Sequence, residues 1–254
     1  MRLATWNVNS LNVRLERVLS FLERQRPDVL CLLETKQTND AFPSAAFEAA
    51  GYQAIHNGEG RWNGVALISS VGIEAPQVGF ERAEDAYGAR LIGANCGGTW
   101  VFSAYVPNGR SLDSEHFGFK LAWLSRLEEL TQRFGANDRV AILGDFNIAP
   151  RDSDVWDLVA LEGMTHVSEA ERSAIAALES HGYRDVFADL HPEGGVYSWW
   201  DYRDGAFHKG HGMRIDLCMA SASLAKQSVE AFVDRQERKG IKPSDHAPVV
   251  FDFS

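Results

Sequence analysis

Cysteine is scarce in this chain of 254 residues, and both a long apolar run and a surplus of positive charge are missing. The 3 cysteines, Cys31, Cys96 and Cys218, lie in or beside strand-like apolar runs. An odd number so placed argues against a disulfide framework and for buried thiols in a reducing compartment, so a cytoplasmic location is expected. No stretch approaches the roughly 20 apolar residues of a membrane span. The first residues enter a strand pattern without the charged region, apolar stretch and cleavage site of a signal peptide, so no membrane partner is expected. Linkers rich in Pro, Gly or Ser, internal repeats and low-complexity tracts are also lacking, which points to one domain over 1–254.

The charge balance needs more care. With 35 Asp and Glu against 25 Lys and Arg, the formal charge is −10, which at face value disfavours a nucleic-acid partner. An enzyme holding a divalent metal must nevertheless concentrate carboxylates at its centre, and a partner responds to the local field over the binding face. Lys36, Arg61, Arg90, Arg110, Arg151, Arg203, Lys209, Arg214, Lys239 and Lys242 fall in loops beside polar strand ends. Each alone reads as a solvated cation; together they make a basic rim.

What the chain does have is a recurring event: an apolar run stops at a carboxylate, an amide or a histidine. Asn7 follows Leu3 to Trp6, Glu34 follows Val29 to Leu33, Asp145 and Asn147 follow Val140 to Gly144, and Asp245 and His246 precede Ala247 to Phe251. Unpaired charge cannot stay inside a buried strand, so these groups collect where strands emerge and form a convergent site. Its hard oxygen ligands suit Mg²⁺ and phosphate chemistry better than zinc or redox work.

Periodicity places strands at 3–8 and 29–34 around a helix at 13–25, then short strands at 52–56, 64–69, 90–95 and 99–106. A long helix at 114–134 leads to a strand at 140–143. A capping box at Ser168 and Glu171 opens a helix through Leu178, and strands follow at 196–199, 214–220, 229–233 and 248–253. Strands and helices in both halves predict an α/β four-layered sandwich, two face-to-face mixed sheets flanked by helices, with the cleft at one edge.

Phosphodiester hydrolysis requires an activated water, a divalent cation and donors around the phosphate oxygens. Glu34 is the expected metal ligand, Asp145 positions and deprotonates water, and Asn7 and Asn147 hold water or phosphate. Asp216 lies among apolar neighbours and needs a partner, and His246 can supply one. That pair either serves as a phosphate donor or is itself the base, leaving Asp145 for metal. His208 and His211 have the spacing of a zinc pair but lack further ligands, which favours a mobile loop.

The segments TWNVNSL (5–11), LETK (33–36), NGVA (63–66), AYVPNG (104–109), GDFNIAP (144–150), WWDYR (199–203), MRID (213–216) and PSDHAP (243–248) occur in the order found in exonuclease III. On these eight ordered motifs the chain resembles a bacterial member of the exonuclease III and apurinic/apyrimidinic endonuclease family. The likeness runs over almost its whole length. The resemblance implies Mg²⁺-dependent hydrolysis, with Mn²⁺ as a substitute, of double-stranded DNA with abasic sites or blocked 3′ ends. The expected activities are incision 5′ to abasic sites, 3′ to 5′ exonuclease action and removal of 3′ phosphates. It further implies metal at Asn7, Glu34 and Asp245, chemistry at Tyr105, Asp145, Asn147, Asp216 and His246, and DNA or phosphate contact at Asn108, Lys36, Arg90, Arg203 and Arg214.

An abasic-sugar pocket falls on Trp199, Met213 and Ile215; an aromatic wall there would exclude normal nucleotides by size. Adjacent strand residues face opposite ways, so one of Trp199 and Trp200 is expected in the core. Two departures stand out: Asn9 replaces an aspartate found in some relatives, and His166 adds an imidazole in a variable region. His166 either presses on the duplex 5′ to the scissile bond, favouring 3′-terminal substrates, or simply precedes a helix. A monomer without an obligate protein partner is expected. Two rival readings are a lipid phosphatase on the same fold and a catalytically silent DNA-binding protein.

Overall fold

The computed structural model describes residues 1–80 and 87–254. Two six-stranded sheets carry the fold. The first contains β1 (Arg2–Asn7), β2 (Val29–Leu33), β3 (Gln53–Asn57), β4 (Val65–Ser69), β13 (Ser228–Val233) and β14 (Val249–Phe253), in the order β13-β14-β1-β2-β4-β3. The second contains β5 (Glu74–Val78), β6 (Leu91–Cys96), β7 (Thr99–Tyr105), β8 (Val140–Asp145), β9 (Tyr183–Asp185) and β12 (Asp216–Ser221), in the order β5-β6-β7-β8-β12-β9. Each sheet is mixed: β1 and β2 run parallel, as do β7 and β8, and the remaining pairings are antiparallel.

The strands read as nearly unbroken apolar runs because both of their faces are covered. Alternation decides which face each residue serves. In β2, Val29, Cys31 and Leu33 enter the core between the sheets, where Leu67, Val101, Ala141, Leu143 and Cys218 meet them. Leu30 and Leu32 point the other way, onto Val18, Phe21 and Leu22 of helix α1 (Leu11–Gln25) and Phe47 of α2 (Ser44–Ala49). Likewise Phe102, Ile142, Leu217 and Met219 on the outer face of the second sheet receive Trp123, Leu124 and Leu127 of α3 (Glu115–Thr131), with Ile175 and Leu178 of α4 (Glu169–Ser180). The result is the expected four-layered α/β sandwich: helices, sheet, sheet, helices. Cys31, Cys96 and Cys218 are free thiols buried at its centre, and burial raises the pKa of each.

Several expected boundaries move. The strand expected at 196–199 shrinks to β10 (Trp199–Trp200), which pairs with β11 (Gly212–Met213) and bridges His246 through Trp199. The strand expected at 214–220 does not begin at Arg214: Arg214 and Ile215 separate β11 from β12. Edge strand β5, short helix α2 and the short helices α5 (Val186–Leu190), α6 (Ala206–Lys209) and α7 (Ala222–Ala225) had no periodic signal long enough to be read. Among the described residues no helix is long and apolar enough to cross a membrane.

Candidate active site

Strand register assembles the site. Tyr105 stands opposite Asp145 in the parallel β7–β8 pair, and Asp145 stands opposite Asp216 in the antiparallel β8–β12 pair, so three polar groups lie in a row across the second sheet. Gly144 permits this row: a Cβ there would come within 1.9 Å of the Ala104 carbonyl oxygen on β7. In the first sheet Asn7 ends β1, and Glu34 follows β2 as a non-glycine residue at φ 51. That left-handed turn is held by the amides of Thr35 and Lys36, which donate to the carbonyls of Gly64 and Asn63 at 3.1 and 3.0 Å, and by the Ser10 amide, which donates to the Glu34 carbonyl at 2.7 Å. Past this kink the chain continues alongside residues 59–64, with Thr38 bridged to Glu59, and the Glu34 carboxylate lies beside Asn7.

Within the site, the Asn7 side-chain amide bridges the two sheets. Asn7 Nδ2 donates to Glu34 Oε1 at 2.8 Å and to Asp145 Oδ2 at 3.0 Å. His246, three residues before the start of β14, completes the line: its Nδ1 is 2.8 Å from Asp216 Oδ2 and its Nε2 is 3.6 Å from Asp145 Oδ2. Burial pushes the Asp145 carboxyl up to about 7, helped by Asp216 and Glu34 and opposed by His246. Burial alone would lower the pKa of His246, but the Asp216 and Asp145 carboxylates outweigh it and carry the imidazole up to about 10. Tyr105, hydrogen-bonded to Glu34, is raised by burial and by the Glu34 and Asp145 charges, so it stays a phenol able to donate.

Around this line sit further donors. Asn108 Nδ2 donates to Asn147 Oδ1 at 2.9 Å, and the Asn147 amide N–H donates to Asp145 Oδ1 at 2.9 Å. Lys36 lies 2.9 Å from Glu34 Oε2 and donates to Asn9 Oδ1, while Asn9 Nδ2 donates to Asp245 Oδ1 at 3.0 Å. Arg90 stacks over the Tyr105 ring with its guanidinium carbon 4.7 Å from the centroid. A cleft of about 500 Å³ is lined by Glu34, Lys36, Arg90, Tyr105 and Asn108, and by Trp62, a tryptophan 68% exposed.

The donor set fits a hard divalent cation. Carboxylate and amide oxygens come from Glu34, Asn7, Asn9 and Asp245, and the Lys36 ammonium already sits against those of Glu34 and Asn9, whereas zinc would call for His or Cys. Among the described residues no three His, Cys, Asp or Glu side chains form a closed metal cage. An ion with one or two carboxylates, its own waters and substrate phosphate for ligands needs no such cage.

Of the expected site residues, Asn7, Glu34, Lys36, Arg90, Tyr105, Asn108, Asp145, Asn147, Asp216, Asp245 and His246 are brought together. Trp199, Met213 and Ile215 pack as one apolar group with Ala149 and Val155, and Trp199 Nε1 donates to Asp245 Oδ2 at 3.2 Å; Trp200 is the tryptophan in the core. Two cations are elsewhere. Arg203 is held by Asp201 on an exposed loop and does not line the cleft. Arg214, expected to touch DNA, is 1% exposed and makes paired hydrogen bonds to Asp154 and Asp185, so its charge is consumed inside the protein.

Sequence reasoning missed the residues that orient the site. Ser198 Oγ donates to Asp216 Oδ2 at 2.6 Å and accepts from the Asp216 amide at 3.2 Å. Ser244 Oγ donates to the Asn7 carbonyl at 2.7 Å and accepts from the His246 amide. Both serines abut segments rich in functional residues, a position that could have flagged them.

Residues 4–246 match the model of the Endonuclease/Exonuclease/phosphatase family. Exodeoxyribonuclease III of Haemophilus influenzae is 30% identical over 269 aligned positions, with all of both chains covered. Among solved structures, an AP endonuclease from Archaeoglobus fulgidus superposes with TM-score 0.96 at 36% identity, covering 100% of this chain and 99% of that one. A 3′ phosphatase from Neisseria, NExo, bound to a product DNA hairpin, superposes with TM-score 0.97 at 37% identity and the same coverage.

Proposed function

Since the chain belongs to the endonuclease/exonuclease/phosphatase family, we propose that it is a DNA-repair nuclease that hydrolyses phosphate ester bonds of duplex DNA. It incises 5′ to abasic sites, degrades 3′ to 5′ and removes 3′ phosphate blocks. The observation that carries this reading is the Asn7 amide, which joins Glu34 of one sheet to Asp145 of the other beside the His246–Asp216 pair. The AP endonuclease, the 3′ phosphatase and the exodeoxyribonuclease among its relatives support the substrate class.

Asp145, with a pKa near neutrality, accepts the proton of the attacking water, and Asn147, whose backbone N–H donates to Asp145 Oδ1, orients that water beside it. His246 is cationic at neutral pH because two carboxylates face it, so it donates to a phosphate oxygen and is unsuited to be the base. This favours the first division of labour between the two groups. Tyr105, Asn108, Lys36 and Arg90 add donors on the open side of the cleft. Glu34 with Asn7 and Asp245 would hold Mg²⁺ or Mn²⁺, which would take up charge on the phosphoryl and leaving oxygens. Trp199, Met213 and Ile215 would wall the base-less sugar, and neutral His166, between Asn108 and Asn147, would narrow the cleft in favour of 3′ ends. The chain acts as one unit, a cytoplasmic monomer.

A side-by-side assay with Mg²⁺ tests the reading on three duplexes: an internal abasic analogue, a 3′ phosphate at a nick, and a plain recessed 3′ end. Cleavage of at least one, abolished by chelation, is expected; inertness on all three, with phosphate released from lipid vesicles instead, would make it a lipid phosphatase.

A further inference from the structure

Beneath the site lies an ion pair that the chemistry above does not use. Lys120 of α3 and Glu171 of α4 are both fully buried and contact each other directly. Lys120 Nζ also donates to the Asn147 carbonyl at 2.7 Å and to the Asn108 carbonyl at 3.3 Å. Glu171 Oε1 accepts from the His166 amide at 2.9 Å, and its Oε2 accepts from the Ser168 amide and hydroxyl at 3.1 and 2.6 Å. One pair thus grips the backbone of three separate segments.

Those segments carry three side chains that touch one another, and one of them, Asn108, lines the cleft. Asn108 Nδ2 bonds Asn147 Oδ1, and His166 Nε2 lies 3.2 Å from both. Two of the three are strained: Asn147 has φ 51 and His166 has φ 81, left-handed conformations that non-glycine residues rarely adopt. The strained residues are the ones the pair holds directly, Asn147 through its carbonyl and His166 through its amide. Such strain persists only where surroundings over-determine it.

Stability alone is a weak explanation for the pair. Two buried charges lose hydration that their attraction only partly returns, and apolar replacement of such a pair often leaves a protein as stable as before. We propose that Lys120 and Glu171 are positioning residues whose function is to set Asn108, Asn147 and His166 in one fixed arrangement over the phosphate. The proposal rests on the nuclease reading above. It deepens that reading by assigning the geometry of the phosphate-facing amides to a buried pair on the two outer helices.

The decisive variant is the double replacement Lys120→Met with Glu171→Leu, which removes both charges together and so avoids stranding either. Leu127→Ala, a cavity in the same helix away from the loops, serves as the control for lost stability. Each protein is assayed well below its melting temperature on the duplex that wild type turns over fastest. The expected result is a folded double variant with kcat reduced about a hundredfold, the loss that roughly 1 Å of misplacement brings. KM should change by only a few-fold, and the control should keep wild-type kcat. A folded double variant with wild-type kcat would overturn the proposal, as would an equal kcat loss in Leu127→Ala. Should the double variant not fold, Glu171→Gln alone gives the same reading through kcat and KM. Wild type inert on every duplex would defeat the nuclease reading itself, a separate outcome.

Discussion

Asp145 and His246 both have raised pKa values, for opposite reasons. Burial lifts the carboxyl toward about 7, whereas His246 rises to about 10 against burial because Asp216 and Asp145 face it. The base must be deprotonated and the donor protonated, so kcat/KM should climb as pH passes about 7 and fall as it nears about 10. A cation on Glu34 would draw the lower limb further down, since positive charge favours the ionised carboxylate. Asp216→Asn removes the largest support of the imidazolium, and its upper limb should move to lower pH. An upper limb unmoved in that variant would contradict the assignment of His246 as the cationic donor. Most of these residues were legible in the sequence, because a polar group ending an apolar run has few places to go. Ser198 and Ser244 were not, because a serine at a strand end looks the same whether or not it orients a neighbour.

Between elements the informative case is Arg214, in the gap between β11 and β12. As one of the cations counted into a basic rim it was expected to contact DNA, but its partners Asp154 and Asp185 lie 60 and 29 positions away, and no local pattern announces them. The guanidinium ties the loop after β8 and the β9 end to the strand carrying Asp216. Arg214→Met should cost about 3–5 kcal/mol in denaturant unfolding at neutral pH, because it strips the buried Asp185 carboxylate of its cation and leaves buried Asp154 with Arg151 alone. Burial would raise the Asp154 carboxyl, but Arg214 and Arg151 hold it below the usual carboxylate range. Its contribution is therefore complete above the unfolded carboxylate pKa and is lost as pH falls through the lower folded value. The variant should accordingly show a smaller acid-side loss than wild type. Equal stability of the two proteins at pH 7 would refute this role. The capping box at Ser168 and Glu171, by contrast, was readable because all its partners lie within one helical turn.

At the scale of the molecule, each sheet contains one parallel pair, and the ends of the two pairs face each other. Asn7 and Glu34 come from β1 and β2, Tyr105 and Asp145 from β7 and β8. Alternating strands and helices made the four layers legible, whereas strand order and register are long-range properties with no local signature. The net charge of −10 proved a poor guide for the same reason: paired carboxylates such as Asp154, Asp185 and Glu171 are buried, while Lys36 and Arg90 stand at the cleft.

The central claim is that groups from both sheets act together on one phosphate, with Asp145 taking the proton. Its most direct test is single-turnover cleavage by Asp145→Asn, measured with the dissociation constant for the same duplex. The account predicts a rate reduced by about 10²–10⁴-fold, the share of a lost general base, with affinity changed by only a few-fold. A variant that cleaves within a few-fold of wild type would contradict it.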